Sequence, residues 1–156
     1  MTSYIKGRKH LQPIIKRLDT HSVITRKFAK ILKDESESET IGFIQRDTAR
    51  IIGVKPKSRI IIKREYLLHM DNSGHFTGYG YGKNGHSDKK PLSVFDISII
   101  PKIIKAAKEN DIEKCKKRRN MERTMIIKND LVIIVEYKDK GDEVFLVTAY
   151  NKQNSR

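Results

Sequence analysis

The segment RTMIIKNDLVIIVEYKDKGDEVFLVTAY, residues 123–150, decides the fold. It contains runs rich in β-branched and aromatic residues, RTMIIK, LVIIVEYKD and EVFLVTAY, which are typical of strands. The short polar segments between these runs, ND and KGD, are hairpin turn signals. We therefore predict consecutive antiparallel strands joined by tight turns.

One more strand and a helix complete the predicted sheet. RIIIK, residues 59–63, is a short β-branched run. FDISIIPKIIKAAKEND repeats isoleucine at spacings of three and four, which predicts an amphipathic helix over 97–108. Pro101 is expected in its first turn, because a later proline would break its hydrogen bonds. The predicted fold is α+β: N-terminal helices followed by a four-stranded antiparallel sheet with one amphipathic helix packed on it.

The first third of the chain has a helical pattern. HLQPIIKRL, SVITRKFAKILKD and SETIGFIQRDTARIIG each place apolar residues three and four apart. Gly53 is a helix stop signal, and the pattern changes near Lys57. We predict an N-terminal helical lobe over 1–57 and a second domain over 58–156, in which the short helix REYLLHMDN follows the first strand.

Composition limits the class of protein. The chain has 156 residues, enough for a modest core without disulfides, and a net charge of +14. This charge favours a polyanion partner, RNA or DNA before an anionic membrane, although lysine-rich surfaces also serve solubility. The single cysteine, Cys115, excludes an internal disulfide. Without a signal-peptide pattern or a run of roughly 18 apolar residues, a cytoplasmic protein that does not span a membrane is predicted.

The segment EYLLHMDNSGHFTGYGYGKNGH, residues 65–86, raises the question of chemistry. It holds His69, His75 and His86, three of the five histidines. Their spacings match no established ligand pattern, so no metal is predicted. GYGKNG satisfies G-x-G-x-x-G, but it lies in a loop rather than between a strand and a helix, which excludes dinucleotide binding.

Two interpretations of this segment remain. Its glycines let the backbone approach a nucleic acid, and Tyr79 and Tyr81 can stack on bases; an exposed loop with solvent-facing tyrosines is an equal alternative. The other interpretation is RNA cleavage with the 2′-hydroxyl as nucleophile, which requires a base, an acid and cations but no metal. Histidine suits both proton-transfer roles because its ordinary pKa is close to neutrality.

The densest positive segment is KCKKRRNMERT, residues 114–124. It either contacts an RNA backbone through phosphates or is a solvated connection between helix and sheet. The candidate nucleic-acid-binding residues from this segment and the glycine-rich loop are Tyr79, Tyr81, Lys83, His86, Lys116, Lys117, Arg118, Arg119 and Arg123.

The order of elements from Arg59 to about Tyr150 resembles the Barnase–EndoU–colicin–RelE (BECR) superfamily, in particular its phage-associated toxin domains. The resemblance is carried by IIIKREYLLHM with its L-x-H pattern, GHF, FDISIIPKIIKAAKEND and FLVTAY. It is a pattern of order and residue type, without one strict motif. It implies a small metal-independent nuclease without a cofactor, whose site on one sheet face cleaves tRNA or other structured RNA.

The resemblance also implies residue roles. His69 would be the primary catalytic histidine and His75 a second acid or base. Lys63 or Arg64 would hold the phosphate. Thr148 and Tyr150, which share a strand face by two-residue periodicity, would donate to phosphate oxygens. The glycine-rich loop is longer than the resemblance leads us to expect, and helices 1–57 fall outside it.

We therefore predict a metal-independent, toxin-like endoribonuclease of a phage or mobile element. Its chemistry would be 2′-hydroxyl transphosphorylation with histidine acid–base catalysis. Its partners would be RNA and an acidic immunity or antitoxin protein. The alternative is a non-catalytic basic nucleic-acid-binding protein of a phage or conjugative element, whose N-terminal helices dock in a groove. A third interpretation is an accessory protein that retains the nuclease fold without its activity.

Overall fold

The computed structural model describes residues 8–78 and 90–154. It confirms the predicted α+β class. The elements in chain order are α1 (Gln12–His21), α2 (Val23–Leu32), β1 (Ser38–Phe43), α3 (Arg46–Ile52), β2 (Arg59–Lys63), α4 (Arg64–Asn72), α5 (Val94–Lys105), β3 (Ile112–Arg118), β4 (Met121–Lys128), β5 (Leu131–Tyr137) and β6 (Glu143–Asn151). Within the described residues, no helix is long and apolar enough to cross a membrane.

The strands form one six-stranded sheet in the order β1-β2-β6-β5-β4-β3. Strands β3 to β6 form an antiparallel meander, and β1 is antiparallel to β2. Strand β2 runs parallel to β6, with Ile60 opposite Val144. Helices α4 and α5 and the rest of the meander separate these strands in sequence, as a parallel crossover requires. The four-stranded antiparallel prediction is thus corrected to six strands with one parallel pair.

The two unpredicted strands lie at the sheet edges. Residues 38–53, predicted as one helix, contain β1 and α3. Ile41 and Ile44 fit the helical spacing, but short apolar runs do not separate helix from strand. Strand β3, predicted as a connection, carries charged residues along most of its length, which is common at an exposed edge.

Tight turns set the register of the meander. Asn129 and Asp130 both have positive φ, 53° and 63°, as a two-residue type I′ hairpin requires. This confirms the predicted ND turn. Arg119 and Asn120 form an unpredicted turn with similar φ values, 54° and 65°, between β3 and β4. This second turn places a pair of adjacent arginines at the end of a hairpin.

One hydrophobic core joins the N-terminal helices to the sheet. It contains Leu18 and Phe28 from α1 and α2, Ile100 from α5, and Val135 and Leu146 from β5 and β6. Strand β1, inside the predicted lobe 1–57, also pairs with β2 of the predicted second domain. The proposed division near Lys57 therefore falls in a turn whose two sides share one core.

Helix α5 differs from its prediction at Pro101. The helix begins after Ser93, whose side chain caps the backbone of Asp96, and Asp96 caps Ser93 in return. Pro101 lies inside the helix and is buried, instead of in its first turn. The capping pair fixes the start of α5, and the packing of Pro101 into the interior outweighs the local cost of proline.

Candidate active site

A cleft of about 410 Å³ opens between α4 and the sheet. The wall formed by α4 and the following turn contributes acidic, aromatic, hydroxyl and imidazole groups, and the sheet contributes three arginines, a glutamate and a threonine. The lining residues are Glu65, Tyr66, His69, Ser73, His75, Arg118, Arg119, Arg123, Glu136, Val147 and Thr148. Six of them, His69, His75, Arg118, Arg119, Arg123 and Thr148, are predicted site residues.

The helical repeat of α4 aims one row of side chains at the cleft. Tyr66 and His69 are three residues apart in α4, and Ser73 follows His69 by four residues at the C-cap of the helix, which places the three side chains in one row. Leu67 and Met70 lie in the core instead. His69 is exposed at the cleft, where a substrate can reach its ring.

His75 is held more firmly than its glycine-rich surroundings predict. Its backbone N–H donates to Met70 O at 3.0 Å, and its carbonyl accepts from Leu92 N at 2.8 Å. Its ring stacks on Tyr150, with centroids 5.2 Å apart and 20° between the ring planes. The side chain is buried but borders the cleft. Among the described residues Tyr150 does not line the cleft, so its direct contact is with His75.

A β-bulge shapes the strand wall of the cleft. Ile134 pairs with Thr148, whereas the next residue, Val135, pairs with Leu146, so Val147 is an extra residue in β6. Val147 and Thr148 therefore both line the cleft, although neighbours in a regular strand point to opposite faces. The bulge is a feature that two-residue periodicity cannot report.

Glu136 is the centre of a charged cluster in the cleft. Arg123 Nη2 donates to its Oε2 at 2.7 Å, and the Tyr66 hydroxyl donates to its Oε1 at 2.7 Å. Burial acts to raise the pKa of Glu136, but the hydrogen bonds from Arg123 and Tyr66 and the charges of Arg123 and Arg119 outweigh it, so that the pKa lies below its ordinary value. Burial, the Glu136 hydrogen bond and the charges of Glu136 and Glu65 raise the pKa of Tyr66 to about 12.

The basic segment divides between the cleft and the surface. Arg118 ends β3 and Arg119 lies in the following turn, and both are exposed at the cleft. Lys116 and Lys117 are exposed on β3 but are not among the described residues that line the cleft. Lys117 forms an ion pair of 3.0 Å with Glu122.

Lys63 and Arg64 lie apart from the cleft as the described residues form it. Lys63 Nζ sits 4.6 Å from the centroid of the Phe145 ring. Arg64 forms ion pairs with Asp34, at 2.6 Å, and with Glu37. As the first residue of α4, Arg64 ties the helix start to the turn before β1.

The remaining predicted contacts lie outside the described residues: Tyr79, Tyr81, Lys83 and His86. Within the described ranges, no group of three or more histidine, cysteine, aspartate or glutamate side chains is arranged to hold a metal ion.

A second buried carboxylate, Asp71, belongs to α4 itself and is not among the described residues that line the cleft. Asp71 is fully buried and accepts from Arg8 Nη1 at 3.0 Å. His10 Nε2 lies 2.8 Å from the same carboxylate oxygen. Arg8 also donates to the side chain of Asn72. The segment before α1 thus fastens the last turn of α4, which leads directly to Ser73 and His75.

Five lining residues were not predicted from the sequence: Glu65, Tyr66, Ser73, Glu136 and Val147. One signal was present for Glu136. It is the only charged residue in the run LVIIVEY, and a two-residue turn at Asn129 and Asp130 places position 123 opposite position 136. An arginine facing a lone glutamate on one sheet face is a recognisable pair.

Comparison with known proteins adds no relative: no family model, curated protein or solved structure matches this chain.

Proposed function

We propose that this chain is a metal-independent endoribonuclease. The observation that carries the proposal is the convergence of His69, His75, Thr148 and three arginines on one cleft. These residues come from separate parts of the chain, and each has a chemical role in phosphodiester cleavage. The resemblance to BECR domains is a second support, because it implies a site on one face of the sheet.

The proposed reaction uses the 2′-hydroxyl of the RNA as nucleophile. One histidine of the pair His69 and His75 takes the proton from this hydroxyl as its oxygen attacks phosphorus. The other histidine protonates the departing 5′-oxygen as the phosphorus–oxygen bond breaks. The products are a 2′,3′-cyclic phosphate and a free 5′-hydroxyl. The exposed ring of His69 suits proton exchange with solvent, and the stacked ring of His75 suits a fixed orientation.

The cations of the cleft would stabilise the negative charge that develops on the phosphate. Arg123 has a fixed partner, whereas Arg118 and Arg119 are exposed at the hairpin end. Arginine suits this task because its planar guanidinium matches the geometry of phosphate oxygens. Thr148 adds a neutral hydroxyl donor. These contacts would engage the backbone and carry no direct sequence information.

The proposed setting is that of a toxin-like nuclease of a phage or mobile element, acting on tRNA or other structured RNA in the cytoplasm. An acidic immunity or antitoxin protein would be its inhibitor. The support for this setting is the resemblance together with the net charge of +14, which an acidic partner complements.

The primary test is cleavage of labelled total RNA in the presence of EDTA. We expect cleavage by the wild type, loss of cleavage in His69→Ala, and wild-type cleavage in His21→Ala. His21 is a matched control because it is exposed at the end of α1. A substrate with 2′-deoxyribose at the cut site should resist cleavage. RNA that stays intact at every wild-type concentration would overturn the proposal.

The pH dependence of cleavage provides a second test. Because one histidine acts as base and the other as acid, kcat/KM should follow a bell with two limbs. His75→Ala should remove one limb. A profile without two limbs in the wild type would contradict the assignment of both histidines to proton transfer.

The exposed arginines and lysines of the β3–β4 hairpin favour a second candidate function, nucleic-acid binding without catalysis. Both candidates predict binding that weakens with salt, because phosphate contacts release counterions. They differ in the fate of the RNA. Salt-sensitive binding by the wild type with RNA ends unchanged would favour the binding protein.

A further inference from the structure

Glu136 is the buried acidic group of the cleft, and the proposed reaction leaves it without a role. It lies in β5 directly opposite Arg123 in β4, and its side chain is 10% exposed. Each of its oxygens accepts a hydrogen bond: Oε2 from Arg123 and Oε1 from Tyr66. Neighbouring strands thus supply the arginine and its carboxylate, while α4 supplies the hydroxyl on the opposite wall of the cleft.

These contacts fit a carboxylate that positions its neighbours. They fit a general base, which accepts a proton from the substrate, less well. A base must offer a free lone pair to the hydroxyl that it deprotonates, within about 3 Å. Each Glu136 oxygen keeps a second lone pair, but both oxygens already accept from fixed donors, and the positive charge of Arg123 makes the carboxylate a weaker base. An arginine without such a partner would lose more side-chain freedom when it engaged a phosphate.

We propose that Glu136 is a positioning residue that fixes the Arg123 guanidinium toward the phosphate bound in the cleft, while the Tyr66 hydroxyl, which donates to Glu136, holds the carboxylate in place. This inference rests on the proposed function. Fixed donors aimed at developing charge need no reorganisation during the reaction, so their benefit falls mainly on the transition state. Loss of Glu136 should therefore lower kcat more than it changes KM.

A double-mutant cycle tests whether Glu136 acts through Arg123. Glu136→Gln has nearly the same shape, and we expect it to lower kcat about 10- to 100-fold, with both limbs of the pH profile retained. In an Arg123→Lys background, the same change should cost about threefold or less, because the group it positions is already gone. The matched control is Glu143→Gln, which removes an exposed carboxylate paired with Arg59 and should keep wild-type kcat.

Three results would overturn the positioning role: wild-type kcat in Glu136→Gln, loss of its acidic limb, or additive effects in the cycle. Loss of the acidic limb would instead make Glu136 the base. Circular dichroism checks that each variant folds. If Glu136→Gln does not fold, Arg123→Lys is compared with Arg119→Lys. Arg123→Lys should then lower kcat more than Arg119→Lys does, and equal decreases in kcat would contradict the proposal.

An NMR measurement separates failure of this inference from failure of the nuclease proposal. With labelled arginine, the Nη groups of Arg123 should give separate signals, because Glu136 restricts rotation of the guanidinium. These signals should merge in Glu136→Gln and stay separate in Glu143→Gln. If the wild type cleaves no RNA but the Arg123 signals are separate, the nuclease proposal fails and the ordering of Arg123 by Glu136 stands. Merged Arg123 signals in the wild type would overturn the positioning role whatever the cleavage result.

Discussion

Two buried carboxylates, Asp71 of α4 and Glu136 of β5, are held by the same kinds of donor. Asp71 binds Arg8 and His10, whereas Glu136 binds Arg123 and Tyr66. Each combines an arginine with a second ring-bearing side chain. Burial of a carboxylate is costly unless it is paired with a cation and hydrogen-bonded, and both carboxylates meet this condition.

The surroundings of the two carboxylates differ. Asp71 is fully buried and draws its partners from the segment before α1, 61 and 63 residues away in sequence. Glu136 borders an open cleft with Arg118 and Arg119 nearby. Asp71 therefore fastens a helix, and Glu136 orders groups that a ligand can reach. The same pairing chemistry yields an anchor or a site according to what lies beside it.

The largest effect on stability is expected at the anchor. Asp71→Asn removes the buried carboxylate charge that faces Arg8 and His10. The free energy of unfolding should therefore fall by about 2–3 kcal/mol. Partial exposure of Arg8 and His10 keeps this loss below that of a fully buried pair. Urea unfolding at neutral pH measures it.

The control for the anchor is Glu143→Gln, which breaks the exposed ion pair with Arg59 and should cost about 0–1 kcal/mol. Equal losses in the two variants would show that Asp71 contributes no more than a surface charge. The segment before α1 would then not fasten α4.

A smaller loss is expected for Glu136→Gln, about 1–2 kcal/mol at neutral pH, because Gln still accepts one hydrogen bond. The folded-state pKa of Glu136 lies below its ordinary value of 4.5. The ionised carboxylate therefore adds stability above pH 4.5, and this contribution is lost as pH falls through the folded-state pKa. Unfolding curves of wild type and variant should converge at low pH. A constant gap would contradict the ionised pair.

Local patterns in the sequence predicted α4, the ND turn and the strands β2, β4, β5 and β6. Alternating branched residues and turn dipeptides determine such elements within a few residues. Strands β1 and β3 were missed because one looks helical over a short window and the other is a charged edge. The parallel pairing of β2 with β6 depends on contacts distant in sequence, which no local pattern reports.

The candidate site likewise contains residues that the sequence predicted and contacts that it did not. The sequence pointed to His69, His75 and Thr148 by residue type and order, and the structure brings them to one cleft. Arg64 was expected there from the resemblance, as the alternative to Lys63, yet the start of α4 pairs it with Asp34. The Asp71 anchor joins segments far apart in the chain. The pattern of a single sequence does not indicate a contact between residues so far apart.

Loss of the Tyr66 hydroxyl, which donates to Glu136 from α4, should have a smaller effect on stability. Tyr66→Phe removes one hydrogen bond and should lower the free energy of unfolding by about 1 kcal/mol. Because its folded-state pKa is raised to about 12, the neutral phenol adds stability that is complete below pH 10 and is lost as pH rises through 12. Absorbance titration should show a late-titrating tyrosine that Tyr66→Phe removes. An unchanged titration curve would contradict the Tyr66–Glu136 bond.

The smallest effect is expected at Tyr150, whose ring stacks on the ring of His75. Tyr150→Phe keeps the stack, so it should change stability by less than about 0.5 kcal/mol and cleavage by less than about twofold. Tyr150→Leu removes the stack and should lower kcat further, because the His75 ring loses its fixed orientation. If Tyr150→Phe instead lowers cleavage as much as Tyr150→Leu, the hydroxyl acts on the phosphate. Tyr150 would then belong with Glu136 and Arg123 among the polar groups of the cleft.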